Sequence, residues 1–179
     1  MLAKILVSID DSDMTQHVVD EAVFLAKATG GSLMFLHVIS IYDNEPLFDP
    51  LFMQPTVLNA ELNNETHQKN LSVWEEFKKS KENWLHSLCE SAASSGVKAE
   101  FTLNIGEASR RICDFSRNWN ADVIVIGRRG HRGLSEMFLG SVSNYVVHHA
   151  SCSVFTVQGG NFATTKLSQN PELAHKSAN

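Results

Sequence analysis

The sequence predicts an α/β fold: an open, mostly parallel five-stranded sheet with helices on both faces. Three observations predict it. Short β-branched runs alternate with stretches of 3.6-residue apolar period along most of the chain. Several of those runs are apolar without interruption, as strands covered on both faces are. The length of 179 residues, 43% of them hydrophobic, suits one domain with a single substantial core.

The elements follow in order. Lys4 to Ile9 is an apolar run closed by Asp10-Asp11-Ser12-Asp13, which reads as a strand running into a helix N-cap. From Met14 to Thr29 an apolar face repeats through Val18, Val19, Ala22, Val23, Leu25 and Ala26, and Gly30-Gly31 stops the helix. Leu33 to Ile39 is a second continuous strand. Ser40 to Thr66, with Pro46, Pro50 and Pro55, reads as a long irregular insertion, a functional lid or a mobile connection. Leu71, Trp74, Phe77, Lys81, Trp84, Leu85, Leu88 and Ala92 then repeat at three and four, a long amphipathic helix ending at Gly96.

Val97 to Ile105 alternates as a half-buried strand, and Ile112, Phe115 and Trp119 mark a further helix. Asp122 to Gly127 is the most strand-like run of the chain. A helix over about 141–149 and a strand from Ser153 to Val157 complete the set. The domain is expected to span residues 1–158, and the polar, aperiodic 159–179 to form a flexible tail.

Composition excludes some functions. A net charge of −5 argues against bulk attraction to nucleic acid or anionic lipid. No apolar stretch nears the ~20 residues that cross a bilayer, and the first apolar run is too short for a signal peptide. Cys89, Cys113 and Cys152 form no CxxC and read as buried or half-buried free thiols of a reducing compartment. A cytoplasmic protein is expected.

In an open parallel sheet, ligands bind beyond the carboxyl ends of the strands, where neighbouring connections diverge. Two such ends carry suggestive chemistry: Ser8-Ile9-Asp10 after the first strand, and the segment Gly127 to Ser141 after the fourth. Gly127 and Gly130 let the backbone turn and approach a ligand without a Cβ in the way. Gly140-Ser141 begins the next helix, whose unspent N–H groups and dipole suit phosphate. Ser141 and Ser143 offer hydroxyl donors, and Arg128, Arg129 and Arg132 positive charge where no lysine occurs between Lys98 and Lys166. These arginines suit solvated surface equally well. A P-loop and a GxGxxG fingerprint are both absent.

Asp10 can cap the first helix, although Asp11, Ser12 and Asp13 compete for that place and leave it freer for a ligand. His37, His131, His148 and His149 invite a catalytic or metal reading that the pattern does not support: His148 and His149, adjacent on a helix, point in different directions and suit joint metal ligation poorly. Trp74, Phe77 and Trp84, at helical spacing, read as core or dimer packing. Val154-Phe155-Thr156-Val157, placed at a sheet edge, invites pairing with a second copy.

The spacing Gly-x2-Gly-x9-Gly-Ser resembles that of the universal stress protein family. The likeness continues in Ile5-Leu6-Val7-Ser8-Ile9-Asp10-Asp11-Ser12, Leu36-His37-Val38, Gly106-Glu107-Ala108 and Ala121 to Gly127, and covers about residues 2 to 158. Three glycines at those offsets arise by chance roughly 0.06 times in such a chain. The resemblance implies a sheet like that of the adenine-nucleotide α-hydrolase folds, ATP binding, and dimerisation through the last strand (153–157). It implies that Ser8, Ile9 and Asp10 flank adenosine, with Asp10 near the ribose, and that Val38 offers backbone hydrogen bonds to adenine. Gly127, Gly130, Gly140, Ser141 and Val142 would line the phosphates, with Ser143 close by. Ile126, Arg128, His131 and Arg132 complete the candidate set.

Ser8 stands where several ATP-binding members carry proline, a difference that touches local rigidity. The expected function is an ATP-binding, nucleotide-responsive stress regulator or chaperone-like factor, with magnesium entering only through the phosphates and the protein partner unnamed. Two alternatives stay open: slow ATP hydrolysis, for which no activated nucleophile or base stands out, and a nucleotide-independent dimeric interaction module.

Overall fold

The computed structural model describes the backbone of residues 2–40, 60–128 and 140–158, and the side chains of all of these except 60–68 and 70. Among them, strands and helices alternate: β1 (Lys4–Ile9), α1 (Thr15–Thr29), β2 (Ser32–Ile39), α2 (Ala60–Ser94), β3 (Ala99–Ile105), α3 (Ala108–Trp119), β4 (Val123–Gly127), α4 (Ser141–His149) and β5 (Ser153–Val157). The strand order is β3-β2-β1-β4-β5. Each neighbouring pair is parallel, in keeping with a crossover helix between successive strands.

The period of two along each strand divides the core between the faces of the sheet. Ile5, Val7, Leu33, Phe35, Val123 and Val125 pack against Val18, Val19, Ala22 and Ala26 of α1 and Leu85, Leu88 and Ala92 of α2. Leu6, Met34, Leu36, Ile124 and Ile126 face the other way, onto Ile112 and Cys113 of α3 and Val146 of α4. Strands buried on both sides are why β1, β2 and β4 read as unbroken apolar runs. Polar Glu100, Thr102 and Asn104 alternate on the edge strand β3. Phe155, 42% exposed, lies on the opposite edge strand β5.

Two predicted boundaries move. The cluster Asp10–Asp13 does not cap α1: its N-cap is Met14, with no side-chain bond. The amide and hydroxyl of Ser12 turn back on the Asp10 carboxylate instead, and a backbone turn from Ser12 O to Thr15 N (3.0 Å) starts the helix. The last part of the predicted irregular insertion, from Ala60 onward, is the beginning of α2. No proline follows Pro55 there, and helix-forming Ala60, Glu61 and Leu62 outweigh Asn63 and Asn64. The rest of that insertion, 41–59, and the predicted tail, 159–179, lie outside the described residues.

At 35 residues α2 spans about 52 Å, twice the length of β2. Among its described side chains, those that join the core lie in its later half, from Trp84 to Ala92, and Trp74 reaches the ends of β2 and β3 beside Ile39 and Ile105.

Candidate functional site

β1 and β4 are adjacent, yet their connections part: β1 leads to α1 on one face, β4 to α4 on the other. That divergence opens a crevice at their carboxyl ends. Ser8 pairs with Ile126 across it and with Leu36 of β2 on its other side. Ile9 and Ile126 are each 5% exposed, and their side chains belong to opposite cores. Both therefore offer the crevice backbone rather than side chain. Val38 is half-buried against the α3–α4 face near the end of β2.

Asp10 forms the corner where β1 ends. Its Oδ1 accepts from Ser12 N at 3.2 Å and from the Ser12 hydroxyl, an Asx turn that orients the carboxylate. Its own carbonyl accepts from the Thr15 hydroxyl. Asp11 beside it pairs with Lys81 of α2. Two hydroxyls and a cation thus hold the corner: Ser12 on Oδ1 of the Asp10 carboxylate, Thr15 on the Asp10 carbonyl, and Lys81 on the neighbouring Asp11.

Across the crevice, Gly140 N–H donates to Arg128 O at 2.8 Å and closes the base of the glycine-bearing segment. Arg128 N–H donates in turn to Val157 O (2.7 Å), and its guanidinium to Gln158 Oε1 (2.7 Å), which anchors that base to β5. Ser143 is buried, and its hydroxyl is shared between Arg128 O (3.1 Å) and Gly140 O (3.0 Å). It ties the base together from inside. Ser141 is exposed, and Val142 packs partly onto the core. The first helical bond of α4 runs from Asn144 N to Gly140 O (2.8 Å), and no side chain caps the helix. The N–H groups of Ser141, Val142 and Ser143 precede that bond, at the positive end of the helix dipole.

Thus Ser8, Ile9, Asp10, Val38, Ile126, Gly127, Arg128, Gly140, Ser141, Val142 and Ser143 gather at the carboxyl ends of β1, β2 and β4. Gly130, His131 and Arg132 lie outside the described residues. A cavity of about 290 Å³, lined by Ile39, Trp74, Lys78, Leu103, Asn104, Ile105 and Arg111, opens one strand further over, at the ends of β2 and β3. It takes in none of the predicted contacts. The crevice remains the better candidate, because there backbone donors and a carboxylate converge at a divergence of connections.

Sequence reasoning gave His37 no role as a catalytic or metal residue and found none for its side chain at the site; it bonds the Ile9 carbonyl beside Asp10 and is 6% exposed. Burial lowers its pKa from the ordinary 6.5, only partly offset by its bond to the Ile9 carbonyl. The signal available in sequence was a lone histidine at a strand end beside an acidic turn. The three cysteines are free thiols, all pushed up in pKa by burial. Among the described residues no cluster of His, Cys, Asp or Glu could hold a metal ion, and no helix is long and apolar enough to cross a membrane.

A model of the universal stress protein family matches residues 1–158. Universal stress protein Sll1388 of Synechocystis sp. is 36% identical over 155 residues, 87% of this chain and 97% of that protein. Among solved structures, a universal stress protein family protein from Arabidopsis thaliana with AMP bound has a TM-score of 0.57 at 18% identity, over 92% of this chain and 97% of that one. A universal stress protein in complex with cAMP has the same TM-score and identity, over 89% and 98%. At these identities the two structures share the fold.

Proposed function

The chain belongs to the universal stress protein family, and from that premise we propose that it binds ATP between the ends of β1 and β4 and acts as a nucleotide-responsive regulator or chaperone-like factor. The observation that carries this reading is the start of α4. Three backbone N–H groups precede the first helical bond there, on a base that Gly140, Ser143 and Arg128 hold closed. Such a start attracts phosphate without a lysine. Ser141 adds an exposed hydroxyl, whereas Ser143 acts by positioning. Asp10 stands across the crevice as acceptor for ribose hydroxyls, and the Val38 backbone as partner for adenine. Gly130, His131 and Arg132 complete the phosphate side in this proposal, and magnesium would arrive on the phosphates. Two neighbours of the same fold hold AMP and cAMP, which supports the adenine nucleotide class.

The same reading makes the protein a cytoplasmic homodimer paired through β5, whose edge leaves Phe155 exposed. A light-scattering mass of one chain across micromolar concentrations would rule that out. Nucleotide would shift the population of a partner-competent surface. The test of binding is calorimetric titration of nucleotide-stripped protein with Mg-ATP and Mg-GTP. Micromolar Mg-ATP affinity with much weaker Mg-GTP supports the proposal. Binding of neither leaves the nucleotide-independent interaction module as the better account.

A further inference from the structure

His37 is the register partner of Ile9, and the pair ends the β1–β2 ladder. On the β4 side the ladder has already stopped one residue earlier, at Ser8 and Ile126. Just where sheet pairing runs out, His37 Nδ1 lies 3.0 Å from Ile9 O. A carbonyl only accepts, so Nδ1 carries the proton of this bond. The ring edge meets Trp84 of α2, with centroids 5.4 Å apart and planes at 88°. The imidazole is thus a fixed donor, clamped between the sheet and a helix.

Ile9 O and Asp10 N belong to one planar peptide. Holding that oxygen sets the plane, and the plane sets where the Asp10 N–H and Cα go. Past Asp10 the chain is fastened again, by Thr15 to the Asp10 carbonyl and by Lys81 to Asp11. Without the His37 bond, the Ile9–Asp10 peptide would be the joint able to rotate between the end of the sheet and those fastenings. The charged groups near enough to act on the ring are Asp10 and Asp11 of the corner and Lys81 of α2.

We infer that His37 is a positioning residue for the nucleotide site: its Nδ1–H holds the Ile9–Asp10 peptide and so aims the Asp10 carboxylate into the crevice. Its side chain reaches the site through the Ile9 carbonyl, and its chain neighbour Val38 is the proposed adenine partner. The inference rests on the nucleotide reading above.

The test uses the full chain, stripped of nucleotide, in four forms: wild type, His37→Phe, His37→Asn and Leu85→Ala. Phe keeps a ring against Trp84 but has no donor; the Asn amide N–H falls near the place of Nδ1. Leu85, fully buried on the same face of the sheet, controls for lost stability without a change at the corner. Mg-ATP affinity should fall roughly five- to tenfold in His37→Phe, the worth of one hydrogen bond. It should stay within about threefold of wild type in His37→Asn, and in Leu85→Ala despite a lower Tm. If His37→Phe does not fold, His37→Leu takes its place.

Wild-type affinity in the Phe variant, or equal weakness of Phe and Asn, would overturn the inference. A second measurement needs no nucleotide: the amide resonances of Asp10 and Asp11 should shift in the Phe variant and return toward wild type in the Asn variant. Should wild type bind no Mg-ATP, the nucleotide reading falls. Unmoved amides in the Phe variant would then overturn the positioning role by themselves.

Discussion

The two ends of the β1–β4 pair use aspartate in opposite ways. At the amino end, Asp122 Oδ2 accepts from Ala3 N (2.7 Å) and Lys4 N (2.9 Å), while Asp122 N–H donates to Lys4 O (2.9 Å). Carboxylate and amide both serve the chain itself, and the two backbone bonds hold the carboxyl below the usual aspartate pKa. At the carboxyl end, Asp10 is bound through Oδ1 within its own turn, and the first N–H groups of α4 come before any helical bond. One end closes its own polar groups. The other sets them around a crevice, and that difference separates a structural aspartate from a candidate ligand residue of the same type.

Substitutions should divide accordingly. The largest effect is expected from Gly140→Asp. Gly140 is the N-cap of α4 at φ −57°, ψ 156°, a conformation open to any residue, and aspartate is a favoured N-cap. Tm should hold or rise, whereas Mg-ATP affinity should drop by about 100-fold as a like charge meets the phosphates. A fall in Tm with unchanged affinity would place the phosphates elsewhere. Next comes Asp10→Ala, which should weaken Mg-ATP about tenfold by calorimetry, with the carboxylate's hydrogen bonds to the ribose removed. Asp122→Ala should leave affinity untouched and lower Tm by a few degrees.

Acid should sharpen the same contrast. His37 has a folded pKa below its unfolded 6.5, so the unfolded chain binds the proton first as pH falls. Stability should be full above about pH 6.5 and decline below it, toward the lowered folded value. Asp122 adds a later loss: its contribution is present above about pH 3.8 and disappears as pH falls through its lowered folded value. Thermal melts across pH read both windows, and His37→Asn should remove only the first.

Much of the fold was legible because strands buried on both faces leave unbroken apolar runs, as in Val123 to Ile126. Strand ends and helix starts were less legible, because short polar side chains there choose among several partners. Asp10 and Ser12 satisfy each other rather than α1, and Asn63 and Asn64 disguised the first turns of α2. The site was legible as a pattern of glycines and an acidic strand end. Sequence could not show that the Ser143 hydroxyl turns inward to two carbonyls, nor that His37 reaches the carbonyl before Asp10. Both facts depend on which chain segments meet in space, and residue type does not encode that.

The central claim is that the start of α4 holds phosphates. Parallel calorimetric titrations of the stripped protein with Mg-ATP and AMP test it most directly. The account predicts tighter binding of Mg-ATP, since its added phosphates extend toward the N–H groups of Ser141, Val142 and Ser143. Equal affinities for the two, or AMP bound more tightly, would contradict it.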